Sequence, residues 1–188
     1  MTLLVAGLVL FLGIHLVPTM PALRARVAGS MGEIPYKILF SVVSLAAFML
    51  IVYGKAGAPF VEVWQPPAWG RHLNMLLNLF AFIMLVAAYV PCNMRRRLKH
   101  PMLVAIKLWA LGHLLANGDL ASMALFGSFL AWAVYDRISV KRRGVVTDTA
   151  TRSWMLDVLV VVIGVSLYAV VVLNHESLFG VPAIVRAG

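Results

Sequence analysis

The sequence predicts an all-α fold, a polytopic membrane bundle of six transmembrane helices, and three observations predict it. Of 188 residues 62% are hydrophobic, with a mean hydropathy of +0.94, against about 45–50% apolar residues in an ordinary soluble domain. The basic residues are confined to short loops between long apolar runs. Those loops alternate between a strongly basic set and a nearly neutral one, the pattern of topogenic charge. A formal charge of +9 in short loops fits topology and attraction to anionic lipid, so the bilayer is the expected partner and nucleic acid is not.

A membrane helix needs roughly 20 predominantly apolar residues, fewer where its ends snorkel. The candidate spans are Thr2–Val17, Ile38–Tyr53, Leu73–Val90, Leu103–Ala116, Leu120–Tyr135 and Met155–Leu173, which make one domain over residues 1–188. The first run lacks a basic segment before it, and the proline-containing, basic stretch Pro18–Arg26 after it reads as a loop. A retained span is therefore expected rather than a signal peptide. The loop Gly54–Gly70 holds Trp64 and Trp69, which suit an interfacial belt, with a binding lid as the sharper alternative. Asn117 and Gly118 give a helix-end signal and Asp119 can cap the next helix, so spans four and five form a tight hairpin. Ala124, Gly127, Ser128 and Ala131 on the fifth span are small enough for close helix packing. Residues Asn174–Gly188 read as an outer surface tail.

Charge placement sets the topology. One side receives Arg24, Arg26, Lys37, Arg95, Arg96, Arg97, Lys99, Arg137, Lys141, Arg142, Arg143 and Arg152. The other receives Lys55, Arg71 and Arg186, offset by Glu62, Asp119 and Glu176. The positive-inside rule then puts both termini outside.

Cys92 is the only cysteine, which excludes an intramolecular disulfide and a multi-cysteine metal site. No carboxylate pair, nucleophile–base arrangement or phosphate-binding loop marks a hydrolase or transferase. The residues that stand out are His15 in the first span and His113 in the fourth, because imidazoles are rare in hydrocarbon and need a partner or a role. Trp109, His113 and Asn117 share one helix face. An aromatic wall beside an imidazole suits a flat macrocycle, and Asn117 can bond a ligand, a propionate or the neighbouring helix. His15 follows Phe11 by one turn, and Gly13 offers room for a helix or ring. Counted at 1.5 Å per residue, the two imidazoles lie at depths only a few ångströms apart. They can therefore sandwich one haem iron, with Arg24 and Arg26 just beyond the first span as propionate partners or, alternatively, as topogenic charge. Interhelical hydrogen bonding alone is the competing explanation. Zinc lacks a carboxylate or cysteine at matching depth, and His72 and His175 are alternative second ligands. His100-Pro101, which opens the fourth span, is a weak echo of a cofactor-holding histidine in membrane methyltransferases and sterol reductases.

The segments His100-Pro101-Met102-Leu103, Leu108 through Ser122 and Phe126-Gly127-Ser128, with His15 through Arg24 and Tyr36–Ser44, resemble the NnrU family. The likeness runs from about Leu3 to Lys141, and its His-x-x-x-Asn-Gly-Asp core is specific. The resemblance implies a multi-pass protein of the bacterial cytoplasmic membrane, linked to denitrification and to nitrite and nitric oxide reduction. It further implies kinship with zeta-carotene isomerase, a membrane b-haem enzyme whose two haem histidines correspond to His15 and His113. That relative has a cysteine one turn before its second histidine, where this chain has Ala110. Three roles follow as expectations: a haem redox or nitric-oxide protein, an assembly or regulatory factor for the reductases, or a double-bond isomerase.

Overall fold

The computed structural model describes residues 1–144 and 150–183. Its helices are α1 (Thr2–Leu16), α2 (Pro21–Met31), α3 (Glu33–Ala56), α4 (Gly70–Ala87), α5 (Asn93–Leu98), α6 (Pro101–Ala116), α7 (Leu120–Arg142), α8 (Trp154–Leu173) and α9 (His175–Phe179). Four segments are long and apolar enough to cross a membrane: α1 with the turn after it, α3, α4 and α8. Helix α6 is a shorter apolar helix, and α7 carries Asp136, Arg137, Lys141 and Arg142 in its second half. Large side chains such as Val9, Leu173 and Ile34 are 69%, 79% and 72% exposed. So much apolar surface outside the core marks a helical membrane protein, because lipid is its solvent. Arg186, counted above with the outer charges, lies outside the described residues.

The stretch Pro18–Arg26, expected to be a loop, is instead a 3-10 turn over Val17–Thr19 followed by α2. Pro21 sits in the first turn of α2, where its missing N–H costs nothing. Gly32 ends the helix with φ +93°, a conformation that favours glycine. Helix α3 is correspondingly longer than its candidate span at both ends, and α7 runs two turns past Tyr135.

Two groups of helices pack side by side. In the first, α1 lies antiparallel on α3, with Gly54 against the Leu4 backbone and Gly7 against Ala47 and Ile51. In the second, α4 is the hub, antiparallel to α6 through Gly112 on Asn74 and Asn78, and to α8 through Gly164 on Ile83. Without a hydrophobic drive between helices in lipid, such close approach supplies the packing energy. Gly13 and Gly127, expected to do this, face open space, and Ala131 is exposed. The buried face of α7 is instead Ala121, Ser122, Leu125, Phe126 and Ala133. Helix α7 packs on α6 and joins the two groups through slighter contacts with α1 and α3.

Gly54→Ala places a methyl group inside the backbone of α1, and is expected to cost about 1–3 kcal/mol. Gly127→Ala meets no neighbour and is expected to be neutral or to stabilise by up to about 1 kcal/mol through helix propensity. Thermal unfolding of both variants in detergent checks the contrast; equal melting temperatures would refute the α1–α3 contact.

Candidate functional site

The seam between the two helix groups is filled by rings. His113 stacks on Phe126, with centroids 4.3 Å apart and planes 5° apart. Trp109 touches His113, Phe126 and Phe129 at 5.8, 4.9 and 5.4 Å. Phe129 meets Phe11 at 5.4 Å, and Phe11 stacks on His15 at 4.1 Å. His15 also leans on Phe40 at 4.9 Å and meets Trp132 edge-on at 5.8 Å. The two histidines therefore mark the two ends of one aromatic column that crosses the seam.

They do not meet. His113 sits at the level of Phe126 and His15 at that of Trp132, six residues or roughly 9 Å further along α7. One iron reaches two imidazoles through metal–nitrogen bonds of about 2 Å each. In this arrangement Phe129, Trp109 and Phe11 stand between them, so a shared iron requires the column to open. The similar depths counted from the sequence do not bring the two rings together here, because side chains of α1, α6 and α7 fill the seam between them.

The two imidazoles are also prepared differently. The Nδ1–H of His15 donates to the Phe11 carbonyl at 2.7 Å. A carbonyl only accepts, so Nδ1 holds the proton and Nε2 keeps its lone pair, the state a metal ligand needs. The Asn117 amide donates to the His113 carbonyl at 2.8 Å, which turns its Nδ2 towards the His113 ring. That donor lies 3.4 Å from Nδ1, so Nδ1 is the acceptor and Nε2 carries the proton. Asn117 thus bonds its own helix end.

Buried polar atoms without partners gather at the His15 end. Trp132 Nε1, Tyr36 Oη and Ser44 Oγ have none among the described residues, and Tyr36, Phe40 and Ser44 follow one another on one face of α3. Each such donor costs about 1–3 kcal/mol if left unpaired. Arg24 lies at this end too, 5.7 Å above the Tyr36 ring, with its guanidinium donating to Glu33 at 2.5 Å. Ala110 is fully buried in the core, leaving no space or thiol for a ligand switch beside His113. Cys92 is not in the aromatic column but is buried with Ile83 and Val160, its thiol accepting from the Arg95 N–H. No three His, Cys, Asp or Glu side chains cluster as metal ligands among the described residues. His100 caps nothing with its side chain; burial and then Arg137 push its imidazole below the ordinary value, despite the opposing charge of Asp136.

Beyond the His113 end, the α6–α7 hairpin forms as expected. Asp119 accepts from the Ser122 N–H at 3.0 Å and the Ser122 hydroxyl at 2.5 Å, capping α7, and pairs with Lys55 of α3 at 2.9 Å. The long loop straps across this point: Val63 and Trp64 donate to the Gly118 carbonyl, and Leu120 donates to Val61. Gly118 is needed because any Cβ would overlap the Trp64 carbonyl. The sequence did not single out Lys55 as a partner of Asp119; their opposite charges on one side of the membrane were the available signal.

Burial alone would raise the Asp119 carboxyl, but the Ser122 hydroxyl, Lys55 and the Ser122 N–H overcome it and hold it below the usual carboxylate value. Its stabilisation is therefore complete above about pH 4 and is lost as pH falls through the lowered folded value. Asp119→Asn is expected to cost about 1–3 kcal/mol at neutral pH and to flatten the acid limb. Melting temperatures in detergent from about pH 3 to 7 check both statements.

Neither a curated protein nor a solved structure matches the chain. The family model described as NnrU protein matches residues 3–183. With the match spanning nearly its whole length, the chain belongs to the NnrU family.

Proposed function

We propose that this NnrU-family protein is a redox protein of the bacterial cytoplasmic membrane that holds a b-type haem through His15. In this reading α1, α3, α4, α6, α7 and α8 all cross the bilayer, with the basic end in the cytoplasm and both termini outside. The carrying observation is the His15 imidazole, whose proton is fixed on Nδ1 by the Phe11 carbonyl. Its Nε2 is left with a lone pair inside a ring of Phe11, Phe40 and Trp132. Those rings hold the imidazole edge in place, while the Trp132 N–H and Tyr36 hydroxyl, without partners among the described residues, offer donors to a polar group beside it. Arg24, already over Tyr36, is the cation nearest this end for a carboxylate such as a propionate. A bound haem would supply one-electron chemistry and a place for nitric oxide to bind, in keeping with a role in denitrification. His113 would hold the haem as well only if Trp109 and Phe129 were displaced from the seam.

A second reading is favoured by the column itself, which closes the seam with the protein's own side chains. There the histidines serve packing, and the protein assists assembly or regulation of nitrite or nitric oxide reductases.

Protein expressed with added haem precursor and purified in detergent is expected to show a Soret band at about one haem per chain. His15→Ala is expected to lose most of it, and His113→Ala to keep it. A folded, colourless wild type, or full haem in His15→Ala, would overturn the assignment. Co-purification of a colourless protein with a reductase would support the second reading.

A further inference from the structure

A cleft of about 410 Å³ lies at the basic end between α5 and the start of α8, lined by Asn93, Met94, Arg96, Arg97, Trp154 and Asp157 among others. We propose that it binds the phosphodiester headgroup of an anionic phospholipid. Its walls are built rather than incidental. Asn93 exchanges hydrogen bonds with the Arg152 backbone at 2.8 and 3.0 Å and donates to Asp157 at 2.7 Å. The Met94 N–H donates to the other Asp157 oxygen at 2.9 Å. Both carboxylate oxygens are thus engaged within the wall, with Arg97 in electrostatic reach of them.

Arg96 is different. Its Nε is buried without a hydrogen-bond partner among the described residues, and it joins none of the ion pairs found there. A desolvated guanidinium edge without an acceptor is costly. Two oxygens of one phosphate group supply acceptors to Nε and a terminal nitrogen together, the bidentate geometry that guanidinium favours. Free phosphate would satisfy the same chemistry, but the cleft opens beside Trp154, which is 71% exposed. Met155, Val158 and Val162 continue from it along α8 at 65%, 47% and 56% exposure. That apolar track fits an acyl chain below a headgroup at the interface.

The test is native mass spectrometry of delipidated protein in detergent, titrated separately with phosphatidylglycerol, phosphatidylcholine and inorganic phosphate. One phosphatidylglycerol per chain is expected, held at least roughly fivefold more tightly than phosphatidylcholine. Arg96→Gln and Arg97→Gln should each weaken it by roughly fivefold. Arg142→Gln, at the same end but off the cleft, should not. Wild-type binding in the two cleft variants, or an equal loss in Arg142→Gln, would overturn the site. Displacement by equimolar inorganic phosphate would overturn the lipid and leave a soluble-anion site. Melting temperatures establish that the variants fold. Arg96→Lys keeps the charge but removes the Nε donor, and unweakened binding there would also overturn the proposal.

Discussion

One carboxylate, Asp119, ties together three parts of the chain that otherwise share little contact. It starts α7, anchors the end of α3 through Lys55, and lies under the strap that connects α3 to α4. The cation sits in the last turn of α3, where the helix dipole also favours positive charge. Asp119 itself is almost wholly buried, at 6% exposure. A buried charge is tolerable only with partners on all sides, and here a hydroxyl, an amide and an ammonium provide them. This node ties the α1–α3 pair to the start of α7 by a charge pair and hydrogen bonds, whereas the seam below it is filled by ring contacts.

The aromatic column and its two histidines make chemical sense in those terms. Rings bridge a wide gap between helix groups without close backbone approach, and they present faces and edges that pair in several geometries. His15 and His113 belong to the same column yet face opposite chemical prospects. One has its proton tied to a backbone carbonyl and an open lone pair; the other receives a bond from Asn117 and is covered by Phe126. The end with the available lone pair is also the end whose buried donors find no partner among the described residues.

Local signals were legible in the sequence. The Asn117-Gly118-Asp119 hairpin follows from capping chemistry that acts within a few residues, and the shared face of Trp109, His113 and Asn117 follows from helical period. Helix α2 carried a readable start in Pro21 and stop in Gly32, but its arginines made it look like a loop. Which glycines pack could not be read. In lipid both the inner and outer faces of a helix are apolar, so hydrophobicity does not separate Gly7 or Gly164 from Gly13 or Gly127. The relation between His15 and His113 could not be read for a similar reason: depth can be counted along each helix, whereas relative register and the insertion of Phe129 are tertiary facts.

The Lys55–Asp119 pair also sets an order of events during synthesis. The two residues are 64 positions apart, and the α1–α3 hairpin can close on its own glycine contacts as soon as α3 emerges. Lys55 must then wait at the membrane surface, hydrated and unpaired, while α4, α5 and α6 are made. Its location in the last turn of α3 rather than mid-helix is what makes that wait inexpensive. The arrival of Asp119 therefore acts as a late latch, available only after α4, α5 and α6 have been made.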